Sequence, residues 1–238
     1  YRTTGSCFLF GKKVDDAQWA LVLRGTDANT PWRLDVSGRQ YVTGVAVQDS
    51  LASGDMMIAD ASCRDLGRNA NWDFGGQAEV VNAYWTGNSG DFANSNNWST
   101  LRVPDGKTRV LVLSRSGETK SITASEAISM KELVLETEPS GKASFRAKRA
   151  MSIGGDLTVG KDAELALDDP SGNTVGGCVL VRSGAKLTHT VQPPAATTED
   201  DACYKLNLHV VSNMVVEADA VIDVSSKGYA PGMGPAPG

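Results

Sequence analysis

The chain has 238 residues, one or two domains at about 150 residues each, which is enough to bury a real core. Its net charge of -5, from 23 Lys and Arg against 28 Asp and Glu, argues against a nucleic-acid partner or an anionic membrane surface, since both are bound by clustered cations. Glycine, at 25 residues, exceeds its usual share of roughly 7% and signals many turns between short elements, while no apolar run approaches the roughly 18 to 20 residues of a membrane span.

In chain order, residues 7–10 already read as strand, and the chain opens on Tyr1 without an initiator Met, so the natural N-terminus is expected upstream. Apolar alternation with the period of a strand recurs at 19–23, 32–36, 42–47, 110–113 and 133–135, with Gly, Asp, Asn, Ser or Pro between. A break falls at Gly75-Gly76-Gln77-Ala78-Glu79, and all five tryptophans lie in the first 98 residues, so two modules with different packing are expected, 1–78 and 79–238. Helical composition occurs at 124–129, too short to be stable alone and set between strand candidates, so the chain reads as all-β.

The second module carries an internal repeat. The stretch 157–165 aligns with 179–187 and with 214–222: each is a short apolar strand, a polar turn, an alanine (Ala163, Ala185, Ala220) and another short strand. Leu133-Val134-Leu135 and Val110-Leu111-Val112 look like earlier copies. The copies starting at 133, 157, 179 and 214 are separated by 24, 22 and 35 residues. The long step contains the polar, Pro-rich stretch 192–201, expected to project as a loop. A step of 22 to 24 residues suits one turn of a three-sided parallel β-helix, three strands and three corners. The expected fold is therefore a right-handed parallel β-helix solenoid of two stacked coil modules, with a β-sandwich as the alternative because it too gives short strands with frequent turns. The recurrent alanine is expected where a tight corner admits only a small inward side chain.

The four cysteines form no CxxC pair and have only His189 and His209 for company, which argues against zinc. An even count permits two disulfides: Cys178 with Cys203, 25 residues apart and so about one coil, and then Cys7 with Cys63. Four buried thiols are the alternative.

Two stretches resemble a known family. Trp19 to Thr26, Trp32 to Gly38, Asp49-Ser50 and then Asn69-Ala70-Asn71-Trp72-Asp73-Phe74 resemble the closing coils of large bacterial surface β-helix proteins. Trp85-Thr86-Gly87, Asp91, Asn97-Trp98 and Val103-Pro104 resemble the start of a following module, and the strand-turn-Ala repeat is similar to autotransporter-associated β-strand repeats. Ile222-Asp223-Val224 and the Gly/Pro-rich end fit the same proteins. The resemblance implies an exported, cell-surface setting and is nearly silent on biochemistry, because one fold carries many functions.

Trp85 and Trp98 are candidates for a carbohydrate platform or for capping the first coil stack. Asn88, Asp91, Asn94 and Asn96, with Asn97, offer the oxygens calcium takes, although their spacing is not that of an EF-hand and the same residues are ordinary turn formers. Asp15-Asp16, Asp168-Asp169 and Glu199-Asp200-Asp201 are carboxylate pairs on expected corners, His189 and His209 lack a nucleophile signature, and no GxSxG, HExxH or P-loop is present. The expectation is a non-catalytic structural or adhesive segment with no required cofactor, meeting further modules of its own polypeptide or other copies through its ends as a filament or array. The alternative is a polysaccharide-binding or polysaccharide-degrading module, lyase or hydrolase. Lys142, Arg146, Lys148 and Arg149 supply basic residues for it, without a matched acidic set.

Overall fold

The computed structural model describes residues 2–3, 7–11, 18–27, 30–37, 40–60, 62–74, 81–191 and 204–228, and the structural statements below concern these. The chain divides into two compact units, Tyr1–Tyr84 and Trp85–Gly238. Asn82 and Tyr84 are bonded to residues of the first unit. The Asn82 N–H donates to Asp60 Oδ2 at 3.0 Å, and the Tyr84 hydroxyl donates to the Gly11 carbonyl at 3.3 Å.

The first unit contains β1 (Arg2–Thr3), β2 (Cys7–Phe10), β3 (Leu21–Leu23), β4 (Trp32–Val36), β5 (Gln40–Thr43), β6 (Val45–Val47), β7 (Ser50–Gly54), β8 (Met57–Ile58), β9 (Arg64–Asp65), β10 (Trp72–Asp73) and β11 (Val81–Tyr84). Strands three places apart pair in parallel: β1 with β4 and β4 with β7, β2 with β5, β3 with β6 and β6 with β9. Val42 and Ala59 extend the β2–β5 sheet by a parallel bridge. Val36, Val42, Val45, Val47, Met57 and Ala59 form the core of this unit, each at most 1% exposed.

The second unit repeats the rule. It contains β12 (Ser89–Asp91), β13 (Thr108–Ser114), β14 (Thr119–Ala124), β15 (Ile128–Met130), β16 (Glu132–Thr137), β17 (Lys142–Ala147), β18 (Met151–Ile153), β19 (Leu157–Val159), β20 (Ala163–Leu167), β21 (Asn173–Val175), β22 (Val179–Val181), β23 (Lys186–Thr188), β24 (Leu208–Val210), β25 (Met214–Val216) and β26 (Val221–Asp223). One sheet runs β13-β16-β19-β22-β25, a second β12-β14-β17-β20-β23-β26 and a third β15-β18-β21-β24. Every pairing between named strands of this unit is parallel, unlike the antiparallel ladders of a β-sandwich. The 124–129 stretch is the end of β14, a bend and the start of β15, and the described chain has one 3-10 turn, Ser95–Asn97, at most. No helix among the described residues is long and apolar enough to cross a membrane.

The register is that of the aligned repeat. Val110, Leu133, Leu157, Val179 and Met214 are successive partners, and so are Ile122, Phe145, Leu165, Leu187 and Ile222. Apart from Met214 and Ile222 these side chains are at most 1% exposed, and each such burial contributes about 1.5–3 kcal/mol.

The corner between the first and second sheets is a four-residue turn. The N–H of its last residue donates to the carbonyl of its first: Glu118 to Arg115, Gly141 to Glu138, Ala163 to Gly160, Ala185 to Arg182 and Ala220 to Glu217, at 2.8–3.1 Å. The third residue has positive φ each time: Gly117 (77°), Ser140 (67°), Asp162 (56°), Gly184 (78°) and Asp219 (63°). A type II turn demands this conformation there, and it favours Gly or a short polar residue. Ala163 and Ala185, directly after that residue, are 2% and 0% exposed, as a small inward corner residue should be.

Candidate functional site

In the first unit, the residues that carry the family resemblance meet one another. The Asn69 side chain accepts from the Ser50 N–H at 3.0 Å and donates to the Val47 carbonyl at 2.8 Å. Trp72 Nε1 donates to Ser50 Oγ at 2.9 Å, and Trp32 Nε1 to the Gln48 carbonyl at 2.9 Å. Arg68 grips Asp49 with Nε at 2.5 Å and with a second nitrogen at 2.8 Å. Asp-Ser and Asn-x-x-Trp-x-Phe are thus two halves of one packing knot. Trp32 lies edge-on to Trp72 at 6.5 Å, and Phe74 stacks on Trp72 at 5.6 Å.

Beneath it lies a polar cluster that sequence reasoning missed. Asp60, 3% exposed, accepts from the Ser62 N–H (2.9 Å), the Ser62 hydroxyl (2.5 Å), Cys63 Sγ (3.6 Å) and the Asn82 N–H (3.0 Å). The Ser62 hydroxyl oxygen also accepts from the Gly44 N–H at 2.7 Å. Burial, followed by the Asp60 charge, pushes the Cys63 thiol up to about 12, so it is no thiolate nucleophile near neutral pH. The Asp-x-Ser spacing was the available signal, since a carboxylate accepting the N–H two residues on is an Asx turn. Its contact with Asn82 had none.

Cys7, Cys63 and Cys178 are free thiols, buried, half-buried and exposed in turn. Cys7 belongs to the first core and Cys63 packs against it, and the two are not bonded to each other. Burial also raises the Cys7 thiol. Cys203, the suggested partner of Cys178, lies outside the described residues, as do Asp15-Asp16, Glu199-Asp200-Asp201, the 192–201 loop, the 75–79 break and the tail from 229.

In the second unit, Trp85 and Trp98 are 3% and 0% exposed and meet edge to face at 5.0 Å. Phe92 lies 5.0 Å from Trp98 and 6.0 Å from Phe145, and Trp98 Nε1 donates to the Phe92 carbonyl at 2.8 Å. These rings are interior packing and present no face on which a sugar could stack. The oxygens of the calcium candidates serve the backbone and neighbouring side chains. Asp91 accepts from the Ala93 N–H (2.8 Å) and the Ser125 hydroxyl (2.9 Å), and Asn94 from the Asn96 N–H (3.1 Å). Asn88 Oδ1 lies 3.4 Å from Lys120 Nζ, which also pairs with Glu118 at 3.5 Å. No group of three or more His, Cys, Asp or Glu among the described residues could hold a metal ion.

Asp168, fully buried, accepts from Arg146 Nε (2.6 Å) and from the Thr190 N–H and hydroxyl (2.7 and 2.9 Å). The Arg146 guanidinium also lies over Tyr204, 5.6 Å from the ring centroid. Asp169 accepts from the Ser171 N–H and hydroxyl. The acidic pair therefore splits between two structural tasks. His189 is 7% exposed with Nδ1 on the Thr190 carbonyl at 2.8 Å, and His209 is exposed on β24. Lys142, Lys148 and Arg149 are exposed.

A shallow cleft of about 200 Å³ is lined by Asp91, Phe92, Asp105, Ser125, Glu126 and Ile128, among others. Asp105 is held below the usual carboxylate range by the Lys107 N–H and then the Thr108 hydroxyl. The cleft lining holds the carboxylates Asp91, Asp105 and Glu126 with the hydroxyls of Ser125 and Ser129.

The most distinctive surface among the described residues is that of 211–224, which includes β25 and β26. Val211 (67% exposed), Met214 (39%), Val215 (50%), Val216 (42%), Val221 (50%), Ile222 (47%) and Val224 (49%) crowd one stretch, and Met214, Val216 and Ile222 are strand partners of Val179, Val181 and Leu187, which are at most 1% exposed. β24, β25 and β26 each end their sheets. Neither a protein-family model, nor a curated protein, nor a solved structure matches this chain.

Proposed function

We propose that this chain is a non-catalytic structural segment of an exported bacterial surface protein, a right-handed parallel β-helix that serves as a stiff scaffold and meets further coils through its ends. The observation that carries the reading is the parallel register, in which Val110, Leu133, Leu157, Val179 and Met214 are partners from strand to strand. From β13 on, each strand pairs with the third strand onward, which suits a helical coil, and parallel crossovers are right-handed in about 98% of cases. The cell-surface setting rests on the Asp-Ser, Asn-x-x-Trp-x-Phe and strand-turn-Ala marks. Buried and internally bonded polar groups, Asp60 and Asp168 above all, support structure over catalysis.

The test is an assay for cleavage of pectin-like and alginate-like polymers together with binding to a glycan array. No turnover and no binding are expected. Depolymerisation of either substrate would overturn the scaffold reading in favour of the polysaccharide-degrading one.

A further inference from the structure

We infer that the second unit cross-links itself: Lys120 Nζ condenses with the side-chain amide of Asn88 to form an isopeptide bond, with Glu118 carrying protons and ammonia leaving. The inference is independent of the scaffold reading.

The fold brings three groups of the right chemistry together. β12 and β14 pair in parallel with Ser89 opposite Ser121, so Asn88 and Lys120 enter the paired strands side by side. The Ser121 N–H donates to the Asn88 carbonyl at 2.7 Å, which holds Asn88 at the start of that ladder. Lys120 is 7% exposed, and a lysine is almost never so buried without a partner. Its register partner is Ala143, whose own partner is Ala163, so the lysine stem continues a column of small buried side chains. Nζ lies 3.4 Å from Asn88 Oδ1 and 3.5 Å from Glu118 Oε2. Oδ1 is bonded to Cγ, the electrophilic carbon of the amide, so an amine, the carbon it would attack and a carboxylate are neighbours. The Arg115 N–H, 3.0 Å from Glu118 Oε2, holds that carboxyl below its usual range, and Glu118 meets Lys120 as an ionised proton acceptor. Asn88 itself is exposed, which gives the ammonia an exit to solvent.

The step balances without a co-reactant. The Lys120 ammonium gives one proton to Glu118, and the lone pair this frees on Nζ attacks Asn88 Cγ to form the Nζ–Cγ bond. Glu118 passes its proton to Nδ2, the Cγ–Nδ2 bond breaks, and ammonia leaves with the bonding pair. A second Nζ proton departs on the ammonia as ammonium, and the third remains as the N–H of the new amide. Nothing is oxidised or reduced. Amide exchange of this kind is slow between separate molecules and proceeds within one because nucleophile and electrophile are held in contact. The product ties two neighbouring strands together across 32 residues of chain, which restricts the unfolded state as a disulfide does.

The experiment is intact-mass spectrometry of the full chain after reduction, followed by trypsin digestion and fragmentation of the peptides. The wild type is expected to be lighter than its sequence by one ammonia, to resist trypsin after Lys120, and to yield a branched peptide that joins Asn88 to Lys120. A wild-type chain that keeps its full sequence mass after prolonged incubation overturns the inference whatever the variants do, and leaves the three residues as an ion pair and a hydrogen bond. Lys120→Arg and Asn88→Ala are each expected to restore the full mass, with circular dichroism confirming the wild-type fold. A Lys120→Arg chain that still lacks one ammonia also overturns it, because the loss would then come from cyclisation of an asparagine onto its own backbone. Glu118→Gln is expected to stay at full mass, and a Glu118→Gln chain as completely linked as the wild type overturns the proton-carrying role. None of these outcomes bears on polymer cleavage, so failure here and failure of the scaffold reading remain distinguishable.

Discussion

Cys63 borders the first core with its Sγ 3.6 Å from an Asp60 oxygen, and burial together with that negative charge pushes its thiol from 9.0 up to about 12. An acid whose folded-state pKa is raised ionises first in the unfolded chain. Its contribution is therefore intact below 9.0, and stability is lost as pH rises from there toward 12. The urea midpoint of the wild type is expected to drop more over that range than that of Cys63→Ala. An equal decline in both proteins would show that the thiol is not the group responsible. The partners of such residues were poorly legible. Asp60-x-Ser62 announces a turn, but Asn82 is brought to it from a separate strand. Lys120 occupies the inward position filled by Ala143 in the next coil, which the alternation around it gives no reason to expect of a lysine. Asn88 and Asp91 have the right chemistry for calcium and are bound instead to Lys120 and Ser125, because a carbonyl or carboxylate oxygen is satisfied by whichever donor the fold brings near.

At the scale of the element, the corner turns show how the repeat is enforced. Asp162, Gly184 and Asp219 hold the same left-handed position in three successive copies, and Gly184 donates its N–H to Asp219 of the next at 3.2 Å. A β-branched side chain in that conformation costs about 1–2 kcal/mol, whereas glycine has no such penalty. Gly184→Val is expected to lower stability by about 1–2 kcal/mol, while Asp162→Gly is expected to be neutral or to gain a few tenths of a kcal/mol. Urea unfolding checks both, with an unchanged slope showing that the unfolded state is not what changed. Equal losses in the two variants would mean that the Asp side chain, not the turn conformation, matters. This level of organisation was the most legible. The alignment of 157–165 with 179–187 and 214–222 is the observed strand register, because inward residues must stack on equivalents in the neighbouring coil. The helical composition of 124–129 is overridden by the ladders on either side.

At the scale of the molecule, stacked parallel strands bury their apolar columns only against neighbours, so stability grows with the number of interfaces. Duplicating residues 157–178, one 22-residue step, is expected to give a folded chain at least as resistant to heat as the wild type. Circular dichroism and thermal melting check this, and loss of cooperative unfolding would show that the strands are not freely stackable units. The sequence by itself determined the all-β class, the repeat, its register and the polar corners. Alternation and turn chemistry act between residues close along the chain, and a repeat writes its own alignment. Only the tertiary structure decided that Trp85 and Trp98 are interior and that Asp60 and Asp168 are spent on internal bonds. Those outcomes depend on which residues far apart along the chain are brought into contact, and that is not set by local pattern.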